Sequence, residues 1–106
     1  MRLRHKFRAQ PVNYDGHHYA SKLEFRYLQT LELQKKAGLI LFFLRQVPFH
    51  LPGGVKYICD FQVFYVDGVV KFVDVKGVET SEFIIKKKLV EATYPINIEV
   101  IKRGDF

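Results

Sequence analysis

With 106 residues, 48% of them hydrophobic and 15% aromatic, the chain can fill one packed core and is too short for a second domain. Its 17 Lys and Arg against 11 Asp and Glu, net +6, exclude an acidic, solvating protein and favour a polyanionic partner, because each neutralised phosphate releases counterions. A single cysteine, Cys59, excludes an intrachain disulfide or thiolate metal cluster and fits a reducing cytoplasm.

The basic start, Arg2, Arg4, Lys6 and Arg8, leads into Ala9-Gln10-Pro11-Val12 rather than an apolar run, so no signal peptide is expected. The apolar stretch Leu39–Leu44 is far too short to span a bilayer. A single domain over 1–106 is expected, with a basic arm over 1–11. No repeat or low-complexity stretch interrupts it.

In chain order, Asp15-Gly16 is a turn signal between Val12–Tyr14 and His17–Tyr19, predicting a small hairpin. An amphipathic helix follows over Ser21–Ala37, with Leu23, Tyr27, Leu28 and Leu31 inward and Gly38 at its end. Leu39–Leu51 reads as a strand ending at Pro52-Gly53-Gly54. Its Pro48 cannot donate to a ladder and points to an edge or a bulge. Val55–Tyr65 and Val69–Val75 are two more strands, joined around Asp67-Gly68. Thr80 or Ser81 caps a second helix running to about Tyr94, with Phe83, Ile84, Leu89 and Val90 as its inward stripe. Pro95 stops it, and Ile96–Ile101 is a last strand. The aromatics Phe42, Phe43, Phe49, Phe61, Phe64 and Phe72 read as core. The order is helix, three strands, helix, strand: an α/β domain around one mixed sheet.

Asp74-Val75-Lys76 is the sharpest local feature, since residues two apart on a strand share a face. Both charges are expensive to bury alone. A carboxylate there suits a hard divalent cation, and a lysine beside it can position a water; a surface ion pair at a strand end uses the same residues. Asp60 interrupts the preceding apolar strand. A two-residue turn at Asp67-Gly68 would put Asp60 and Asp74 on different faces. A three-residue loop, Val66-Asp67-Gly68, with Gly68 in a bulge, puts them directly opposite each other, and this register is predicted. Two opposed carboxylates need a positive charge between them. Glu24 is a third acid at the helix start, where Ser21-x-x-Glu24 also spells a capping box. Lys86, Lys87 and Lys88 can contact phosphate or form a solvated helix face. The four histidines lack the helical pairing of a zinc site, and no phosphate-binding glycine loop is present.

Glu on a first helix, Asp on a strand and Asp-x-Lys on the next resembles the PD-(D/E)XK nuclease superfamily. The longer pattern is closer to a family of small phage-encoded proteins predicted to be such endonucleases. It comprises Tyr14-Asp15-Gly16, Ser21–Glu24, Arg45-Gln46-Val47-Pro48, Asp60-Phe61, Asp74–Gly77, Lys87-Lys88-Leu89 and Tyr94-Pro95. The resemblance implies a restriction-endonuclease-like core and a Mg²⁺- or Mn²⁺-dependent endonuclease acting on DNA. Asp60 and Asp74, with the Val75 carbonyl, would hold the metal, Glu24 would do so directly or through water, and Lys76 would orient the attacking water. Gln46 would stand on a strand beside that site, or else satisfy strand backbone groups. Cys59 stands where the superfamily's name has proline. Phosphate contacts are expected from Lys86, Lys87, Lys88, Arg4 and Arg8, and a homodimer is expected for a duplex or branched substrate. The rival expectations are a catalytically silent DNA-binding module and a structural subunit of a larger complex.

Overall fold

The structure, a computed structural model, describes Val12–Tyr14, His17–Tyr19 and residues 21–106. The basic arm over 1–11, with Arg4 and Arg8, and the Asp15-Gly16 turn lie outside the described residues. Strands β1 (Val12–Tyr14) and β2 (His17–Tyr19) pair antiparallel with Tyr14 facing His17, as the turn signal predicts.

Helix α1 spans Lys22–Lys36. The Ser21 hydroxyl accepts the Glu24 amide at 3.1 Å, satisfying one of the amides that a helix start leaves open. Leu23, Tyr27, Leu28 and Leu31 form its buried stripe, and Lys35 and Lys36 complement the dipole at the other end. Gly38 takes φ +82° and turns the chain out of the helix, a conformation that costs glycine little.

The next elements are β3 (Ile40–His50), a 3-10 turn at Pro52–Gly54, β4 (Lys56–Tyr65), β5 (Val70–Val75), α2 (Ser81–Thr93) and β6 (Ile98–Ile101). They form one four-stranded sheet in the order β3-β4-β5-β6, antiparallel except for the parallel β5–β6 pair. β3 is an edge, which is where Pro48 is tolerated. The parallel pair needs a crossover, and α2 supplies it. Among the described residues no helix is long and apolar enough to cross a membrane.

α1 covers one face, packing Leu23, Tyr27, Leu28 and Leu31 against Ile40, Phe61, Val63, Val73 and Val75. α2 covers part of the other, where Phe83 and Val90 meet Phe49, Leu51, Tyr57, Cys59 and Ile98. Thr80 caps it by accepting the Phe83 amide at 3.1 Å. Ile84 and Leu89, expected inward, are instead partly exposed. The helix rests on the sheet along the single line from Phe83 to Val90, and its flanks stay wet. Phe42 also departs from the expected core: it is 43% exposed and stacks on Phe64, ring centroids 4.3 Å apart.

Beyond the bulge at Ile40–Phe42, side-chain alternation breaks again in mid-sheet. Phe43, Phe61 and Val63 pack on the α1 side, whereas Val47, Phe49, Tyr57 and Cys59, of the same parity, pack on the α2 side. The switch falls at Gln46 (φ 53°), the one non-glycine residue with positive φ among those described, and at Asp60, which faces it between the pairs Arg45–Phe61 and Val47–Cys59. A left-handed residue inside a strand costs about 1–3 kcal/mol and persists only where its surroundings over-determine it.

Candidate active site

The β4–β5 hairpin decides whether a paired-carboxylate site exists. Its loop is Val66-Asp67-Gly68: the Tyr65 amide donates to the Val69 carbonyl at 2.8 Å and the Gly68 amide to the Tyr65 carbonyl at 3.0 Å. Gly68 has φ +94°, the left-handed residue that closes such a loop, and the Asp67 side chain accepts the Val69 amide at 3.0 Å. The register that follows pairs Phe64 with Val70 and Phe61 with Val73, where the ladder ends; Asp60 and Asp74 are the next residues on the two strands, and their carboxyls are close enough to interact. This is the predicted register. Because Gln46 faces Asp60 from the other side, Gln46, Asp60 and Asp74 form one row across β3, β4 and β5.

At the Asp74 end, the carboxylate is fully buried. The Tyr57 hydroxyl donates to its Oδ2, and Oδ1 has the Lys76 ammonium at 3.8 Å but accepts no hydrogen bond. Lys76, just beyond β5, packs its ammonium over the Phe83 ring, 4.6 Å from the centroid, and its amide donates to the Ile101 carbonyl. Asp60 Oδ2 accepts the Val75 amide at 2.9 Å, so Val75 meets Asp60 through its amide. Burial first, and then the neighbouring Asp74, hold the Asp60 carboxyl well above the usual aspartate range; the Val75 amide and Lys76 pull the other way. Burial and Asp74 likewise keep the Tyr57 phenol protonated, as a donor must be. The same two causes push the Cys59 thiol up to about 12, so this buried cysteine is inert.

At the other end, Glu24 is 3% exposed. Its Oε2 meets the Arg45 guanidinium and the Gln46 amide nitrogen, both at 3.3 Å. In a regular strand Arg45 and Gln46 would project to opposite faces. The left-handed turn at Gln46 brings both to the same carboxylate, and this is a physical reason for its unusual φ. Glu24 therefore supplies its amide to the Ser21 cap while its carboxylate serves the sheet.

The expected residues Glu24, Gln46, Asp60, Asp74 and Lys76 thus converge on one row and its two ends. Arg45 and Tyr57 were not anticipated. A charge inside the run from Leu39 to Val47 was the available signal for Arg45; Tyr57 gave none. Lys86 and Lys87 are paired within α2 to Glu82 (3.0 Å) and Glu91 (3.1 Å), whereas Lys88 is exposed.

A buried and a part-buried carboxylate, the buried one with an oxygen that lacks a hydrogen bond, form an oxygen donor set suited to a hard divalent cation. The residues fit such an ion at Asp60 and Asp74. Among the described residues no group of three or more His, Cys, Asp or Glu is arranged to hold an ion, so Glu24 is not placed as a third direct ligand.

Fold and site together define a small α/β protein with a mixed sheet and two neighbouring carboxylates, one of them buried, on one hairpin. Residues 4–104 match the family model described as "Protein of unknown function (DUF1064)", and the chain belongs to that family. No curated protein and no solved structure matches it.

Proposed function

We propose that the protein is a metal-dependent endonuclease that hydrolyses phosphodiester bonds in DNA, with a restriction-endonuclease-like core. The observation that carries this reading is the opposed pair of Asp60 and Asp74, with the hydrogen-bond-free Asp74 Oδ1 facing Lys76. Asp60 and Asp74 would hold Mg²⁺ or Mn²⁺. When bound, the ion would polarise a phosphate oxygen and lower the pKa of a coordinated water.

The chain's own groups supply the rest. Tyr57 occupies Asp74 Oδ2 and so fixes which oxygen remains for other partners. Lys76 stands beside Oδ1, where its ammonium can hold a water or a phosphate oxygen in line and offset charge that develops during attack. The net charge of +6 favours DNA at long range, with Lys88 the exposed member of the α2 cluster. Action in the cytoplasm goes with this reading.

One observation favours a catalytically silent DNA-binding module instead: the Glu24 carboxylate is engaged by Arg45 and Gln46 rather than grouped with the other two acids. A single assay separates the readings. Supercoiled, linear, branched and single-stranded DNA are incubated with Mg²⁺, Mn²⁺ or EDTA, beside Asp74→Asn and Lys76→Ala. The nuclease reading expects cleavage that EDTA stops and that either substitution lowers by about a hundredfold or more. Binding in EDTA without cleavage under any condition would favour the silent module.

A further inference from the structure

Among the described residues, α2 leaves part of its side of the sheet uncovered. Phe72, Ile98 and Val100 belong to the core beneath α2. The next row on that face, Phe42–Phe64–Val70, is continuous across β3, β4 and β5 by register, yet Phe42 and Val70 remain 43% and 44% exposed. Leu44, beside Phe42 on the same face, and Val66, two residues beyond Phe64, extend the exposed apolar surface. Among the described residues, Gln62 is the one polar side chain between these rows, and none there is charged. The nearest lysine, Lys71, alternates to the opposite face, where its ammonium lies 3.5 Å from Glu99 and over the Tyr65 ring.

We propose that this face docks a second copy of the chain, sheet against sheet, about a two-fold axis. Two copies each carrying +6 repel across most of their surfaces, and an uncharged face is where they can meet without desolvating or opposing like charges. The same lack of cations disfavours nucleic acid, whose phosphates would find no partner, although Phe42 and Phe64 present ring faces. The area also suits a dimer. About half of five medium or large apolar side chains is on the order of 400 Å², within the range of the largest patch a monomer exposes. Apolar atoms make up about 60% of an interface, so the full footprint would be roughly 700 Å² per copy, close to the usual size of a stable contact. Asp60 lies four residues along β4 from Phe64, about 13 Å away, and the patch meets the carboxylate row only at Leu44, two residues along β3 from Gln46. The proposal does not depend on the nuclease reading.

Sedimentation equilibrium of the full chain tests it. The wild type is expected at twice the 12.5 kDa chain mass. Leu44→Lys and Val70→Lys, each placing a charge at a part-exposed position, should weaken self-association by about a hundredfold or more. Ile85→Lys, at an exposed apolar position on α2, should not change it. Circular dichroism of each variant establishes that it is folded. A wild type that stays monomeric at its highest soluble concentration overturns the proposal, and so does a dimer that survives both patch substitutions. Single-stranded DNA that photo-crosslinks to Phe64 of a monomer would assign the face to nucleic acid and overturn it as well.

Discussion

Glu24 and Asp74 are both almost wholly buried, but their surroundings treat the charge in opposite ways. Glu24 Oε2 has a guanidinium and a side-chain amide at 3.3 Å. Asp74 has a phenol on one oxygen, an ammonium at 3.8 Å from the other, and a second carboxylate, Asp60, opposite it. A buried carboxylate with matched donors is a structural element. One that is under-compensated and set against another carboxylate is destabilising until a cation arrives. The two ends therefore differ: the Glu24 carboxylate ties α1 to β3, and the Asp60–Asp74 end is where the proposed metal site lies.

The largest expected effect breaks the compensated end. Arg45→Ala leaves Glu24 buried with one fewer donor and should cost about 3 kcal/mol in denaturant unfolding. Adding Glu24→Gln to it should recover part of that loss, a coupling that a double-mutant cycle measures. Alone, Glu24→Gln should cost about 1–2 kcal/mol, because a charge-assisted pair becomes a neutral one. Asp74→Asn should behave in the opposite sense. Without divalent ions it should be at least as stable as the wild type, since it removes the repulsion with Asp60 and keeps an acceptor for Tyr57. Equal losses at both ends would break the comparison.

A pH series sharpens it. Asp60 has a raised pKa in the folded state, so between the ordinary aspartate range and that raised value the folded chain binds more protons than the unfolded one. Stability without metal should therefore fall as pH rises through that window and level off above it. Asp60→Asn, which keeps an acceptor for the Val75 amide, should flatten the fall in thermal midpoint. A midpoint equally pH-dependent in the variant would assign the effect elsewhere.

The smallest effect concerns the residue that joins the two ends. Gln46→Gly relieves the left-handed strain but loses the Glu24 contact, and these should nearly cancel. Gln46→Ala loses the contact and keeps the strain, so it should be less stable than the glycine variant by about 1 kcal/mol.

The two ends also differ in how far the sequence reveals them. The Asp60–Asp74 pairing follows from counting residues in one hairpin, because a period of two and a glycine-closed loop leave a single register consistent with a shared site. Asp74 and Lys76 share a face by the same period. The Glu24 end was hidden by the break in that period. Alternation sends Arg45 and Gln46 to opposite faces, and nothing in the residue type glutamine signals a φ of 53°. Tyr57 was hidden by the same switch, which puts it on the α2 side within reach of Asp74. The helices, strands and caps were legible because Ser21, Thr80, Gly38, Gly68 and Pro95 each act locally. How much of the sheet α2 covers depends on packing between distant segments, so the exposure of Phe42, Ile84 and Leu89 was not legible.

The central claim, that the Asp60–Asp74 end accepts a divalent cation and the Glu24 end does not need one, is tested most directly by thermal unfolding during a Mg²⁺ or Mn²⁺ titration. The wild type should gain stability saturably, by about 2.7 kcal/mol at a hundred times the dissociation constant. Asp74→Asn and Asp60→Asn should gain almost none, and Glu24→Gln, though less stable, should keep most of the increment. A wild type that does not respond, or an Asp74→Asn variant that responds equally, would contradict the account.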